Sequence, residues 1–184
     1  MTTGPEPVVD LDRVLTVLNR HGVEYLVVGG AAANLHGATR VTLDFDCLPE
    51  TSLENLDRLA AAMRELNARL RVAGLSDDEA KELPNPLDAQ SLRQMQISTW
   101  RTDAGDFDVL AEIPNRQGGR LRYDQLAPRA LTIDVTGKPV RVAALDDVIS
   151  SKEWANRAKD QAALPELRAI RDAQIQRRNP PLGL

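Results

Sequence analysis

The sequence has few aromatic residues, one cysteine and no long apolar run, and each shortage excludes a class of protein. Aromatic residues make up 3% of the 184 residues, so we do not expect bases to stack on an aromatic platform. The single cysteine, Cys47, excludes an intramolecular disulfide and fits a reducing compartment. The longest apolar run, residues 25–33, is too short to span a bilayer and is broken by Gly29 and Gly30.

The chain also lacks an excess of basic residues. Its formal net charge is -4 and its pI is near 5.3, which argues against a protein that coats nucleic acid through bulk charge but leaves room for a local basic patch. The first ten residues, MTTGPEPVVD, are polar and acidic and do not resemble a signal peptide. We therefore expect a cytoplasmic protein that does not enter a membrane.

The pattern of apolar residues predicts an α+β fold, in which a small mixed β-sheet is backed by helices and followed by a C-terminal helical segment. In the first part of the chain we predict a helix from residue 11 capped by Asp10, a strand at 24–28 halted by Gly29-Gly30, a short helix to Gly37, a strand at 40–48 stopped by Pro49, and a helix reaching Leu70.

The second part of the chain begins with an acidic stretch, residues 71–94, that carries two prolines and predicts an irregular or partly helical excursion. After it we predict strands at 95–100 and 107–112 joined by a turn at 103–105, a hairpin turning at Gly137-Lys138, and helices from Leu145. We divide the chain into a core, 1–144, which includes the excursion, and a C-terminal helical segment, 145–184, packed on that core.

Three aspartates stand among apolar residues of predicted strands. Asp44 and Asp46 lie two positions apart, so their side chains point the same way. Asp108 has the same setting in GDFDVL, and it completes a three-carboxylate cluster if the two strands are neighbours. Carboxylate oxygens in this arrangement suit Mg²⁺. The alternative is that these are solvated residues on an exposed strand face.

The pair Gly29-Gly30 joins a strand to a helix. Such a junction presents unpaired N–H groups that favour phosphate. A tight turn needing positive φ explains one glycine well and the pair less well.

The order of these features resembles the polymerase-β-like nucleotidyltransferase superfamily: an apolar strand, Gly-Gly, thirteen residues, Asp-x-Asp, and a distant Asp in a second strand. The stretch GGAAANLHGATRVTLDFD is similar to the version found in AbiE- and MenT-type toxin nucleotidyltransferases. The segment LDDVISSKEWANRAKDQAALPEL is similar to their DLI-x-x-K…R-x-KD segment. The resemblance covers residues 25–167 except the 71–94 stretch.

The resemblance implies transfer of a nucleoside monophosphate from a nucleoside triphosphate to an acceptor hydroxyl, with release of pyrophosphate. It implies that Asp44, Asp46 and Asp108 are catalytic and hold two Mg²⁺ ions, with Mn²⁺ as an alternative. Asp108 would bind the metal nearer the acceptor and help to remove its proton.

The resemblance also implies a nucleotide site. Gly29 and Gly30 would cradle the triphosphate, and Thr42, on the face of Asp44, would bond to a phosphate unless it is simply a β-branched strand residue. Arg40 would contact phosphate or pair with an aspartate of the site; the competing interpretation is a surface arginine.

Near the C-terminus, the resemblance assigns Lys152 to catalysis and nucleotide binding and makes Asp160 its supporting carboxylate. An N-cap of the last helix explains Asp160 nearly as well. Arg157 and Lys159 fit a solvated basic face equally well.

Three hypotheses remain for the acceptor. A toxin-like enzyme would modify the 3′ end of tRNA and would have a cognate antitoxin as partner, although tRNA needs a basic groove. An antibiotic-type enzyme would modify a small molecule, with the acidic excursion contacting a cationic acceptor. A non-catalytic binding module of the same fold is opposed by the intact aspartates and glycines.

Overall fold

The computed structural model describes residues 8–76, 79–80, 82, 84 and 87–178 and has the α+β architecture that the sequence predicts. The helices are α1 (Leu11–Arg20), α2 (Gly29–Leu35), α3 (Leu53–Glu65), α4 (Ala89–Gln94), α5 (Tyr123–Leu126), α6 (Leu145–Ala155) and α7 (Ala158–Arg178), with a 3₁₀ turn at Ala127–Arg129. The strands are β1 (Tyr25–Val28), β2 (Asp44–Pro49), β3 (Arg69–Leu70), β4 (Ile97–Thr102), β5 (Gly105–Leu110), β6 (Ile113–Pro114), β7 (Arg120–Leu121), β8 (Leu131–Val135) and β9 (Lys138–Val142).

Seven strands form one mixed sheet in the order β3-β4-β5-β2-β1-β9-β8. The pairs β2–β5 and β1–β9 are parallel, and the other four neighbouring pairs are antiparallel. β2 therefore lies at the centre, with β1 on one side and β5 on the other. The remaining two strands, β6 and β7, form a separate small hairpin.

The alternation of β2 and β5 divides the sheet into a core face and a polar face. Phe45 and Phe107 lie opposite each other in register, both are buried, and their ring centroids are 5.1 Å apart. The aspartates that flank each phenylalanine along its strand point to the opposite face, because successive side chains of a strand alternate. Burial of these aromatic rings holds the two strands together from the side away from the carboxylates.

Helices α2, α6 and α7 form the wall beside the polar face, with α6 in contact with both of the others. His36, which caps the C-terminus of α2, donates from Nε2 to the Ala143 carbonyl at 2.8 Å and ties this helix to the end of β9. α6 ends at Ala155, and its C-cap Asn156 has a φ of 51°, which reverses the chain before α7. Within the described residues, no helix is both long enough and apolar enough to cross a bilayer.

The helix predicted to reach Leu70 ends earlier. α3 stops at Glu65, and Asn67 has a φ of 53°, a left-handed conformation that a helix does not continue. Arg69 and Leu70 instead pair with β4 as the edge strand β3. The apolar spacing that predicted a longer helix also fits a strand that places Leu70 beside the core.

The six predicted strands are all present, shifted in position, and three short strands, β3, β6 and β7, were not predicted. β4 and β5 are displaced by about two residues from the predicted spans, and the turn between them is Asp103-Ala104, within the predicted 103–105. The β8–β9 hairpin turns at Thr136-Gly137, one residue before the predicted Gly137-Lys138. In the predicted excursion, residues 77–78, 81, 83 and 85–86 lie outside the described residues, and α4 occupies its end.

Candidate active site

Gly29 and Gly30 leave room for groups on the neighbouring strand and loop. Gly29 has a φ of +63°, and a Cβ on it would lie 1.9 Å from Oδ2 of Asp46. A Cβ on Gly30 would lie 2.7 Å from Oγ1 of Thr42, and the Gly30 amide donates to Asp46 Oδ2 at 3.3 Å. Both glycines belong to the first turn of α2 rather than preceding it. The pair is therefore explained by the close approach of the backbone to Asp46 at Gly29 and to Thr42 at Gly30.

The three predicted carboxylates meet on the polar face of the sheet. β2 and β5 pair in parallel with Asp46 opposite Asp108. Each of Asp44, Asp46 and Asp108 offers a carboxylate oxygen within 4.8 Å of the others. The cluster arises from register alone, because a slip of one residue would turn Asp108 into the core.

Burial and mutual repulsion make this carboxylate cluster unfavourable in its fully ionised form. Burial, then the charges of Asp44 and Asp108, raises the pKa of Asp46 to about 7. Burial, then the charge of Asp44, raises the pKa of Asp108 to about 6. Among the described residues, none donates a hydrogen bond to the buried Asp108 Oδ1.

These properties fit a divalent cation. A hard cation prefers oxygen ligands, cancels the repulsion between carboxylates and satisfies an oxygen that lacks a hydrogen-bond donor. Asp44, Asp46 and Asp108 could hold such an ion together, and the sequence-based prediction of a metal site fits the observed donor set.

Asp106 lies on the same face of β5 but is neutralised by arginines. Arg71 Nη1 lies 2.8 Å from its Oδ2, and Arg101 Nε donates to its Oδ1 at 3.0 Å. Asp106 is thus occupied by counter-charges, whereas its neighbour Asp108 is not. Arg71 is a residue that the sequence did not single out, because it follows an edge strand that the local pattern reads as helix.

Thr42 and Arg40 precede β2 instead of lying in it. The strand begins at Asp44, opposite Asp106, because its partner β5 extends only one residue further, to Gly105, and offers residues 40–42 no neighbour to pair with. It also continues through Pro49, which the sequence placed after its end. Thr42 Oγ1 donates to Asp44 Oδ1 at 3.1 Å, which fixes the orientation of that carboxylate.

Lys152, Asp160 and Arg157 form a second charged cluster on α6 and α7. Asp160 is fully buried and accepts from Lys152 Nζ at 3.2 Å and from Arg157 Nε at 2.7 Å. Burial alone would raise the pKa of Asp160, but the hydrogen bonds from Arg157 and Lys152 hold it below its ordinary value. Asp160 lies inside the first turn of α7 and is not its N-cap, and Arg157 is paired instead of belonging to a free basic face.

One cleft of about 720 Å³ contains both clusters. It is lined by all the residues that the sequence predicted for the site: Gly29, Gly30, Arg40, Thr42, Asp44, Asp46, Asp108, Lys152 and Asp160. Lys159 also lines the cleft and is exposed. Its positive charge lowers the pKa of Asp46 and Asp108 and so offsets a small part of their upward shift. Exposed apolar side chains that the sequence did not single out, Val41 and Ile97 among them, complete the lining.

Known structures share this architecture. No family model and no curated protein sequence matches the chain. The lincomycin-bound lincosamide antibiotic adenylyltransferase LnuA superposes with a TM-score of 0.60 at 11% identity, over 89% of this chain and 99% of LnuA. ANT(2")-Ia in complex with adenylyl-2"-tobramycin gives a TM-score of 0.52 at 16% identity, over 91% and 95% of the two chains. The chain therefore has the fold of these nucleotidyltransferases.

Proposed function

We propose that this chain transfers a nucleoside monophosphate from a nucleoside triphosphate to an acceptor hydroxyl and releases pyrophosphate. The observation that carries the proposal is the in-register meeting of Asp46 and Asp108 on paired strands, with Asp44 beside them. A cleft that joins this cluster to Lys152 offers one site for metal and triphosphate together.

In the proposed reaction, the acceptor oxygen attacks the α-phosphorus while the bond to the oxygen that bridges to the β-phosphorus breaks, and pyrophosphate leaves with that electron pair. Two Mg²⁺ ions, or Mn²⁺ in their place, would supply positive charge for the attacking and leaving oxygens when bound. Asp44, Asp46 and Asp108 would hold them. Asp108 would take the proton of the hydroxyl, a role that fits a carboxyl whose pKa is raised to about 6 and is still mostly ionised at neutral pH.

The second charged cluster would bind the triphosphate. Lys152 would place its ammonium against the phosphates as a point charge, and Asp160 would position it through their 3.2 Å contact. Arg40, Gly29 and Gly30 would contact the phosphates from the other side of the cleft, as the resemblance implies.

We infer that both parts of the chain are needed for one site. The core, 1–144, carries the three aspartates, and the C-terminal segment, 145–184, carries Lys152 and Asp160, which line the same cleft. A chain that ends at 144 would keep the proposed metal ligands and lose the proposed phosphate contacts.

For the acceptor, we propose the 3′ end of a tRNA, with the chain acting as a toxin whose activity a cognate antitoxin restrains. The likeness of residues 29–46 and 145–167 to the AbiE- and MenT-type enzymes supports this acceptor.

A small-molecule acceptor of the antibiotic type is the second candidate, because apolar side chains stand exposed in the cleft. Val41 is 74% and Ile97 is 58% exposed, and both line it. Exposed apolar groups in a cleft favour a ligand with an apolar part. A non-catalytic module would have no need to hold three carboxylates together.

The test is incubation of the protein with each labelled nucleoside triphosphate, Mg²⁺ and either total RNA or a panel of lincosamides and aminoglycosides. Label entering RNA supports the tRNA proposal, and label entering a drug supports the second candidate. Asp46→Asn should abolish either activity, and full activity in that variant would contradict the metal assignment. No transfer in any arm, with the triphosphate bound, would leave only the binding module.

A further inference from the structure

An arginine-bearing hairpin forms part of the cleft wall beside α6. Its strands β6 and β7 pair antiparallel, and Ile113 and Pro114 of β6 line the cleft. The turn is fastened to α6, because the Arg116 amide donates to Ser150 Oγ at 2.8 Å. The hairpin is therefore a fixed surface at the cleft.

The positive charge of this hairpin is only loosely compensated. Arg120 and Arg122 share one carboxylate, Glu112, at 3.9 Å and 3.8 Å. Both arginine side chains are about half exposed or more, at 49% and 69%. Exposed ion pairs at such distances contribute little, so these guanidinium groups are available to a stronger anion.

The neighbouring carboxylate on α6 is shared in the same way. Glu153 lies 3.2 Å from Arg116 and 2.8 Å from Arg168. Among the described residues, Glu112 and Glu153 thus pair with four arginines, namely Arg116, Arg120, Arg122 and Arg168. A local excess of positive charge on a chain of net charge -4 is suited to attract and orient a polyanion at one place.

A half-exposed tryptophan adjoins the arginines. Trp154 is 45% exposed and lines the cleft two residues after Lys152. The Arg120 guanidinium lies over its ring, 4.9 Å from the centroid. The low aromatic content argues against an extended aromatic platform, but this single indole beside a guanidinium plane offers a surface for stacking one nucleic-acid base.

We propose that Arg116, Arg120, Arg122 and Trp154, the arginine hairpin surface, dock single-stranded nucleic acid whose end enters the cleft. The arginines bind phosphates and Trp154 stacks a base; that the docked end is the acceptor rests on the proposed nucleotidyl transfer. An acidic protein segment would use the arginines, but it would leave the exposed indole without a partner of matching shape, so nucleic acid is favoured.

The experiment is a fluorescence titration of the full chain with a short single-stranded RNA that has a free 3′ hydroxyl. Trp100 is fully buried, so quenching on binding reports on Trp154. We expect Arg120→Gln/Arg122→Gln to weaken RNA binding roughly tenfold at low salt and to reduce the slope of log affinity against log salt by about 0.7 per lost phosphate contact.

The matched control is Arg13→Gln/Arg20→Gln, which removes two exposed, carboxylate-paired arginines from α1. This control should bind RNA like the wild type, and both variants should bind Mg²⁺ and nucleoside triphosphate unchanged. Trp154→Leu, followed by labelled RNA instead of tryptophan fluorescence, should weaken binding about tenfold.

Equal RNA affinity and salt slope in the hairpin variant and the wild type would overturn the docking proposal. So would a poly-glutamate peptide that binds as tightly as RNA and loses its affinity in the hairpin variant, because it would assign the surface to an acidic protein. If the wild type docks RNA through the hairpin arginines but binds neither Mg²⁺ nor nucleoside triphosphate, the docking proposal stands and only the proposed function is refuted. Transfer to a small molecule with no RNA docking would refute the docking surface and the tRNA acceptor, and it would leave nucleotidyl transfer itself standing.

Discussion

The two charged clusters of the cleft are built in opposite ways. Asp44, Asp46 and Asp108 bring like charges together, and none of the described residues supplies a counter-charge that pairs with them directly. Burial, and after it the repulsion between these carboxylates, raises the pKa of Asp46 and of Asp108. Asp160 is also buried, yet hydrogen bonds from Arg157 and Lys152 hold its pKa below its ordinary value. The first cluster needs a cation from solution to be stable in its ionised form, and the second carries its own.

The largest expected effect is the loss of activity in Asp46→Asn. Removing one of the three carboxylates should take away several kcal/mol of transition-state stabilisation, about a thousandfold in rate. The same change should stabilise the metal-free protein at pH 8 by about 2 kcal/mol, because it removes a poorly compensated charge. Transfer assays and urea unfolding measure the two effects, and a variant that is both inactive and less stable would break the comparison.

Asp160→Asn should have the opposite effect on stability. It leaves the Lys152 ammonium, whose side chain is 13% exposed, without its carboxylate, and breaking such a pair costs about 3 kcal/mol. We also expect a raised KM for the nucleoside triphosphate, because Lys152 loses its position. Arg157→Gln is the matched control; it keeps the Lys152–Asp160 contact and should cost less than half as much in urea unfolding. Equal losses of unfolding free energy in both variants would contradict the claim that the Lys152–Asp160 contact is the more important of the two pairs of Asp160.

The stability of the metal-free protein should depend on pH through the carboxylate cluster. The folded pKa of Asp46 is about 7 against 3.8 in the reference state, so the folded form keeps a proton that the unfolded chain has released. The contribution of Asp46 to the free energy of unfolding is fully present below pH 4 and is lost as pH rises through 7, by about a few kcal/mol in all. Measuring the unfolding free energy of wild type and Asp46→Asn across this pH range gives a difference that reports on Asp46. The carboxyls with lowered pKa contribute equally to both proteins and cancel.

Mg²⁺ should reverse this loss at pH 8 and have little effect at pH 5, where Asp46 is protonated. Thermal unfolding with and without Mg²⁺ at both pH values tests the prediction. Equal stabilisation at the two values would show that the ion binds elsewhere.

The smallest expected effect is that of Thr42→Val. It removes the hydroxyl that donates to Asp44 at 3.1 Å, while leaving the carboxylate in place. We expect about a tenfold loss of transfer rate and a change in unfolding free energy of about 1 kcal/mol or less. Thr42→Ser keeps the donor and should behave like the wild type. If Thr42→Ser and Thr42→Val lose activity equally, the hydroxyl does not orient Asp44.

The sequence predicted the carboxylate cluster well because strand alternation is a local rule. Asp44 and Asp46 must share a face, and Asp108 joins them once β2 and β5 pair in register. That pairing connects distant parts of the chain, so the sequence could state it only as a condition. The same limit applies to the ion pairs of Asp106. Its two arginine partners come from β4 and from the residue after β3, so the local sequence does not reveal them.

The ends of the elements were less predictable for a related reason. β2 begins at Asp44, opposite Asp106, because β5 extends only one residue further, to Gly105. Asn67, just beyond α3, adopts a left-handed conformation that its apolar neighbours do not signal. The close approach of Gly29 to Asp46 likewise depends on the packing of α2 against β2. Local patterns carry the residue types of the site, and tertiary packing decides which of them meet.

Calorimetric titration of Mn²⁺ into the protein with a non-hydrolysable nucleoside triphosphate tests the central claim most directly. If Asp44, Asp46 and Asp108 hold the cation together, Asp108→Asn should lose Mn²⁺ binding, whereas Asp106→Asn, two residues away on the same strand face, should retain it. Unchanged binding in Asp108→Asn, or equal loss in both variants, would contradict the three-carboxylate site.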